Sequence, residues 1–145
     1  EGTGIANFAS ANGYRIIVLQ SRRTGAGQWT VTAYNNPAAG AASSLTAYAT
    51  CERNAKGKAV SEVSALAPLV ENGRSSADAT CSKKAHVVSG GFNITPNGVG
   101  QVPAVGVDET LPVGRRGWHV ALHDFVNVSV PAGAALRTYA YCKKG

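Results

Sequence analysis

The sequence contains no methionine, few charged residues and no long apolar run. Charged residues make up 15% of the chain, against about a quarter in typical globular domains. The densest apolar stretch, Ile16-Ile17-Val18-Leu19, has the length of a strand and is far too short to cross a bilayer. Apolar residues still make up 44% of the chain, which excludes an intrinsically disordered protein. The 145 residues suffice for one compact domain or for two small halves that share a core.

Motifs of the common hydrolases and nucleotide-binding proteins are also missing. There is no Gly-x-Ser-x-Gly nucleophile elbow and no Gly-x-x-x-x-Gly-Lys phosphate loop. Ser89-Gly90-Gly91 is similar to the nucleophile loop of chymotrypsin-type proteases, but the Gly-Asp that precedes it there is absent. The chain is also too short for two barrels of that type. We therefore predict no catalytic residues and no cofactor.

The histidines do not have the spacing of a metal site on a strand. His119 and His123 form a His-x-x-x-His pattern, which on a helix would present both rings to one ion. On a strand with a rise of about 3.3 Å per residue they lie about 13 Å apart, too far for one Zn²⁺. Asp108, Glu109 and Asp124 lack the spacing of a calcium loop. We predict no metal ligands.

Two segments, residues 29–51 and 118–142, are versions of one pattern, so the chain is interpreted as a tandem repeat. Each segment has a Trp strand, a Pro-Ala-rich connection and a last strand that ends in Cys. The aligned residues are Trp29 with Trp118, Leu45 with Leu136, Tyr48 with Tyr139 and Cys51 with Cys142. This repeat indicates the architecture far better than it indicates the activity.

Most segments carry the strand signature of alternating or β-branched residues bounded by Gly, Asn and Pro. Strands are predicted at 14–21, 28–35, 44–51, 86–94, 103–109, 117–123, 125–130 and 136–142. The predicted fold class is all-β, an antiparallel β-sandwich built from the two repeats. Residues 58–70 are ambiguous between a helix, which Pro68 would break, and an extra strand. The polar residues 71–79 are predicted to link the copies.

The predicted organisation is unequal. Residues 1–55 form the first copy, which lacks its opening strand; residues 56–79 form a connecting segment; and residues 80–145 form a complete second copy. Together they form one compact domain or two. Because the first residue is Glu rather than Met, we expect a processed product or a cut segment from which any signal peptide is gone.

The three cysteines follow the repeat. Cys81 and Cys142 bracket the second copy, so we expect a disulfide between them that leaves Cys51 unpaired or bonded to another chain. The alternatives are a Cys51–Cys81 bond, or three reduced cysteines that act as small buried hydrophobes. A disulfide would indicate an oxidising compartment, and we expect the protein to be secreted or on the cell surface.

The second copy resembles an uncharacterised repeat of secreted bacterial proteins. The resemblance rests on the order of Cys81, Val87-Val88-Ser89-Gly90-Gly91-Phe92, Gly117-Trp118-His119-Val120 and Tyr139-Ala140-Tyr141-Cys142. It reaches the first copy only from about Tyr14 onward, because no Cys and no Gly-Gly-Phe precede it. The resemblance implies a β-sandwich architecture and no established activity.

Strand alternation assigns a candidate binding surface to the second copy. If Trp118, Val120 and Leu122 point inward, their neighbours point outward, and the same holds for the last strand. The outward set is His119, His123, Arg137, Tyr139 and Tyr141. Such aromatic and hydrogen-bonding side chains suit recognition of a ligand or of a partner subunit.

The net charge of +6 suggests a second surface. Arg22 and Arg23, and Arg115 and Arg116, occupy equivalent loops before the two Trp strands, which predicts a basic rim at one end of the molecule. A basic rim attracts anionic cell-wall polymers, acidic polysaccharides or nucleic acid, although no nucleic-acid motif accompanies it. The alternative is that these cations only confer solubility and protect strand edges.

A copy that lacks a strand exposes backbone groups that another segment must cover. Residues 58–69 would cover them within the chain, whereas a strand from a neighbouring chain would give a polymer, locked through Cys51. The predicted function is therefore a non-enzymatic structural or binding module at a cell or particle surface that self-assembles by strand addition. The alternatives are a module that binds an anionic glycan or polymer through its basic loops, and a secreted hydrolase or protease inhibitor with an unrecognised active loop.

Overall fold

Ten β-strands make up the part of the chain that the computed structural model describes, which is residues 2–9, 16–35, 44–51, 60–96, 105–124 and 129–145. They are β1 (Gly2–Ala9), β2 (Ile16–Gly25), β3 (Gln28–Asn35), β4 (Ser44–Cys51), β5 (Ser61–Pro68), β6 (Arg74–Thr80), β7 (Ala85–Thr95), β8 (Val105–Val113), β9 (Gly117–Asp124) and β10 (Ala135–Lys144). Neighbouring strands are antiparallel throughout. The predicted all-β class is confirmed. None of the described segments is a helix that could cross a membrane.

The main core lies between two of the sheets. A five-stranded sheet has the order β3-β2-β7-β10-β5, a three-stranded sheet has the order β6-β9-β8, and β1 pairs with β4. Ile94 and Leu136 of the first sheet pack with Val105, Val120 and Leu122 of the second, and each of these residues is at most 1% exposed. Burying aliphatic side chains of this size stabilises the fold by about 1.5–3 kcal/mol each.

A disulfide joins these two sheets. Cys81 directly follows β6 and is bonded to Cys142 on β10, with 5.7 Å between the Cα atoms. Both residues are 2% exposed, and the bond is surrounded by the small buried side chains of Ala79, Ala85 and Ala140. The predicted Cys81–Cys142 bond is confirmed, and the alternatives of a Cys51–Cys81 bond and of three reduced cysteines are wrong.

Most predicted strands are present. β3 and β4 have the predicted bounds, and β2, β7, β8, β9 and β10 overlap predicted strands. Of the predicted strand 125–130, residues 125–128 lie outside the described residues, and Ser129 and Val130 are not in a strand. The N-terminal strand β1 precedes the predicted strands and pairs with β4, in the region where the first copy was expected to lack its opening strand.

Two strands lie in the segment that was expected to connect the copies. β5 falls in the ambiguous stretch and pairs with β10, so it does not cover the first copy from within the chain. β6 stands where a linker was predicted. Its buried positions are Ser75, Ala77 and Ala79, and these small side chains lack the β-branched and aromatic character that usually identifies a strand.

The hairpins β2–β3 and β8–β9 share their register over most of their length and one irregularity, and β2–β3 has a second irregularity between Arg23 and Gly25. The equivalent facing pairs are Ser21 with Val31 and Thr110 with Val120. One extra residue, Leu19 in β2 and Asp108 in β8, interrupts the register at equivalent places. In each hairpin the Trp indole N–H donates a hydrogen bond of 3.1 Å to a hydroxyl eight residues earlier. These bonds are Trp29 to Ser21 and Trp118 to Thr110.

The two glycines of the Ser-Gly-Gly motif have packing roles. A Cβ atom on Gly90 would lie 2.0 Å from the indole ring of Trp118. A Cβ atom on Gly91 would lie 2.3 Å from the carbonyl oxygen of Ser21, at the place where β2 pairs with β7. Glycine is required at both positions because a ring and a neighbouring backbone approach too closely for any side chain.

Candidate functional site

The predicted binding surface is not one surface in the structure. His119 and His123 lie on β9 of the three-stranded sheet, whereas Arg137, Tyr139 and Tyr141 lie on β10 of the five-stranded sheet. Arg137 is exposed and donates a hydrogen bond of 3.4 Å to the hydroxyl of Ser64 on β5. Tyr139 and Tyr141 are only 7% and 2% exposed, so they do not present themselves to a ligand. The alternation was correct, but residues of β2 and β3 cover this face.

Tyr141 on β10 contacts β2 and β3, and so connects the second half of the chain with the first. Its hydroxyl accepts a hydrogen bond of 2.8 Å from the backbone N–H of Arg23, and its ring meets that of Trp29 edge to face, with 5.7 Å between the centroids. The guanidinium of Arg22 lies 5.3 Å from the ring centre of Tyr139. Burial raises the pKa of Tyr141 to about 12, and the bond from Arg23 only partly opposes this.

The predicted basic rim is wrong, because its two arginine pairs do not lie in equivalent loops. Arg22 and Arg23 belong to strand β2 and not to a loop. The Arg22 guanidinium lies over the ring of Tyr139 on β10, whereas the Arg23 side chain donates a hydrogen bond from Nε to the carbonyl of Gly25. Arg115 and Arg116, by contrast, lie in the turn between β8 and β9. The two arginine pairs occupy different kinds of structural element, because β2 extends further along the chain than predicted.

The outer face of the three-stranded sheet carries a row of carboxylates and one arginine around the two histidines. The Nδ1 atom of His119 lies 2.8 Å from a carboxylate oxygen of Asp78, and Nδ1 of His123 lies 2.5 Å from one of Asp108. Arg74 bridges the row, because it contacts the carboxylates of both Asp108 and Glu109. Each histidine therefore has a carboxylate partner on a neighbouring strand.

The bulge in β8 explains why two consecutive carboxylates reach this face. Side chains alternate between the two faces of a regular strand, so Asp108 and Glu109 would point in opposite directions. The extra residue at Asp108 shifts the alternation by one, and both side chains then contact the row. Within the described residues, no group of three or more His, Cys, Asp or Glu side chains could hold a metal ion.

A basic cavity of about 320 Å³ lies at one end of the second half. It is formed where the residues before β7, the turn between β8 and β9 and the end of β10 meet. The charged or polar residues that line it are Lys83, Lys84, His86, Arg115 and Arg116. Sequence reasoning placed Arg115 and Arg116 in a basic surface but paired them with the wrong partners. The adjacency of Lys83 and Lys84 to the bonded Cys81 was the available signal.

The side of β4 that faces away from β1 is the other candidate site. Within the ranges that the structure describes, β4 pairs with β1 and with no second strand. Its sequence, Ser-Leu-Thr-Ala-Tyr-Ala-Thr-Cys, contains no charged residue and no proline. Leu45 on this strand is 38% exposed. Because Cys81 and Cys142 bond to each other, Cys51 remains the third cysteine, and its predicted pairing with another chain stays a prediction.

Comparisons of the chain with protein-family models, with curated proteins and with solved structures found no match. The resemblance of the second copy to a secreted bacterial repeat therefore stays a prediction. What the protein does has to be inferred from the geometry of its own residues.

Proposed function

We propose that this chain is a non-enzymatic structural module of a secreted protein at a cell or particle surface. In this proposal it is a β-sandwich of two tandem repeats, and copies of it assemble by strand addition along the open side of β4. The observation that carries the proposal is the uncharged edge of β4, which has one paired side among the described residues.

The equivalent hairpins support the tandem repeat. A bulge at the same place, and a Trp indole bonded to a hydroxyl eight residues earlier, occur in both β2–β3 and β8–β9. The pairs β1–β4 and β7–β10 also correspond, since a glycine faces the Ala of Tyr-Ala in each. These facing residues are Gly4 with Ala49 and Gly90 with Ala140. The correspondence favours β1 as the counterpart of the Gly-Gly strand β7.

The same correspondence identifies what the first copy needs. In the second half, β10 is covered on its second side by β5, and β9 is covered by β6. Their counterparts β4 and β3 have no such neighbour within the part of the chain that the structure describes. An uncovered strand offers a row of backbone donors and acceptors, and natural proteins usually protect such edges with charges, prolines or bulges. β4 has none of these, and its pairing with β1 is continuous.

The partner strand that we propose is β5 of another copy. β5 ends the five-stranded sheet, and its Leu66 is 59% exposed, so pairing with β4 would cover Leu45 and Leu66 together. Because β4 and β5 are different surfaces, this contact is head-to-tail and leaves one of each free at the ends of the assembly. Contacts of this type continue into open chains unless the geometry closes them into a ring.

Sedimentation of the chain over a range of concentrations tests the proposal. The weight-average mass should rise with concentration above the single-chain value of 14.8 kDa. Leu45→Lys places a charge on the open edge and should return the mass to that of one chain. Leu111→Lys is the matched control, because Leu111 is 40% exposed on β8 and should leave assembly unchanged. A single-chain mass at every concentration, or equal effects of the two substitutions, would overturn strand addition along β4.

The role of Cys51 is separable from that of the edge. In Cys51→Ser the assembly should still form but should lose any band that dissociates only under reducing conditions. Secretion is supported by the disulfide between Cys81 and Cys142, since such bonds persist in oxidising compartments. Mass spectrometry of the protein from its native source, with free thiols blocked, should find this bond intact. Reduced Cys81 and Cys142 in that sample would contradict secretion.

A further inference from the structure

The basic cavity next to the disulfide collects like charges in a small volume. Four cationic side chains and the imidazole of His86 line about 320 Å³, and none of the described residues that line it is an Asp or a Glu. Cationic side chains that line one space raise the positive electrostatic potential there, which favours the binding of an anion.

Backbone hydrogen bonds hold together the two segments that carry these side chains. The N–H of Cys81 donates to the carbonyl of Arg116 at 2.8 Å, and the N–H of Val87 donates to that of Arg115 at 3.0 Å. The turn that carries both arginines is thus bonded on each side to the segment that carries both lysines. The disulfide of Cys81 ties this segment to β10, so the fold itself brings the two basic segments together.

The chemistry of the lining selects the ligand. The guanidinium groups of Arg115 and Arg116 present planar pairs of N–H donors that match two oxygens of a phosphate or sulfate group, and Lys83 and Lys84 add charge. The volume is at the lower end of the range for small-molecule sites, about 300–1,000 Å³, so it accommodates one charged unit and not a duplex. The described residues that line it include no Trp, Tyr or Phe, although single-stranded nucleic acids are bound largely by stacking on such rings.

We propose that this cavity binds a tetrahedral oxyanion, carried as a sulfate or phosphate group on an acidic polysaccharide. The site lies in the second half of the chain and does not involve β4, so it is independent of strand addition. Binding to the cavity would attach the assembled or the single chain to an anionic surface.

Binding of labelled dextran sulfate, phosphorylated dextran and uncharged dextran tests this inference. The two charged polymers should bind, and uncharged dextran should not. The polymer with the higher affinity shows whether the cavity prefers a sulfate or a phosphate group. Arg115→Gln should weaken binding by at least about tenfold, as expected for loss of a charge-assisted hydrogen bond. Arg137→Gln is the matched control, because it removes one exposed positive charge from β10 and should change affinity less than about twofold.

Three outcomes would overturn the inference. Equal losses in Arg115→Gln and Arg137→Gln would mean that the net charge attracts the polymer. Tighter binding of an oligothymidylate than of either charged dextran would identify a nucleic-acid surface instead. Titration of the ¹⁵N-labelled chain with inorganic sulfate does not depend on any variant. Amide shifts outside 81–87, 115–117 and Gly145, which also lines the cavity, would place the anion elsewhere. The monomeric Leu45→Lys variant should bind as the original chain does, which separates this inference from strand addition.

Discussion

Replacing Tyr141 with phenylalanine should lower the stability of the fold at neutral pH and raise it, relative to the original chain, at high pH. The substitution keeps the ring that meets Trp29 and removes only the hydroxyl that accepts the hydrogen bond from the backbone N–H of Arg23. Loss of that bond, with its donor left half-buried, should reduce the free energy of unfolding by about 1–2 kcal/mol below pH 9.

The effect at high pH follows from the raised pKa. Burial shifts the pKa of Tyr141 from 10.0 to about 12. Between these values the unfolded chain loses the phenolic proton while the folded chain keeps it, so stability is complete below pH 10 and falls as the pH rises towards 12. A pKa shift of two units corresponds to about 2.7 kcal/mol of unfolding free energy. Only the original chain can lose this contribution, because phenylalanine has no phenolic proton. The stability curves of the two proteins should therefore cross near about pH 11.

Urea unfolding at half-unit steps between pH 8 and pH 12, with the disulfide intact, measures both effects. All other ionisable groups are common to the two proteins, so their contributions cancel in the difference. The unfolding free energy of the original chain minus that of the Tyr141→Phe variant should be positive at pH 8 and negative at pH 12. A constant difference over this range would refute the assignment of Tyr141 as a buried, protonated joint between the halves.

Two further variants test the core and the covalent link. Gly90→Ala should destabilise the fold by about 1–3 kcal/mol, because the new methyl group displaces the Trp118 indole. The control is Ser76→Ala at an exposed position, which should change stability by less than about 0.5 kcal/mol. Equal urea midpoints for the two variants would contradict the close contact between Gly90 and Trp118. Replacing both Cys81 and Cys142 with serine opens a link across 61 residues and should lower the unfolding free energy by about 4 kcal/mol on the chain-entropy estimate; a loss below about 1 kcal/mol would show that the link between the sheets contributes little.

The strands that could be predicted are those whose side chains carry the usual signal. β3 and β4 contain Trp, Tyr, Val and Thr in alternation and have the predicted bounds. β6 buries Ser75, Ala77 and Ala79, which fit beneath β9 because they are small. Nothing in the segment distinguishes such a strand from a polar linker, since its stability comes from the neighbouring strand and not from its own side chains.

The candidate sites were also predicted only in part. His119 and His123 were predicted to share the outer face of their strand, and the structure has both there with carboxylate partners. Those partners depend on the register between strands and on the bulge at Asp108, which local sequence does not encode. Tyr139 and Tyr141 were expected on an open face because alternation describes one sheet and takes no account of what packs on it.

The sequence by itself predicted the all-β class, most strand positions and Cys81–Cys142 as the favoured disulfide, because these follow from local alternation and from the positions of the cysteines along the chain. Only the tertiary structure decided which faces are covered, which edges lack a neighbour and which cations meet. The pairing of β2 with β7 brings Arg22 over the ring of Tyr139 and the backbone N–H of Arg23 to the hydroxyl of the buried Tyr141. The turn bonded to Cys81 brings Arg115 and Arg116 to Lys83 and Lys84. These contacts join residues far apart in the chain, and their energies depend on packing that no local pattern contains.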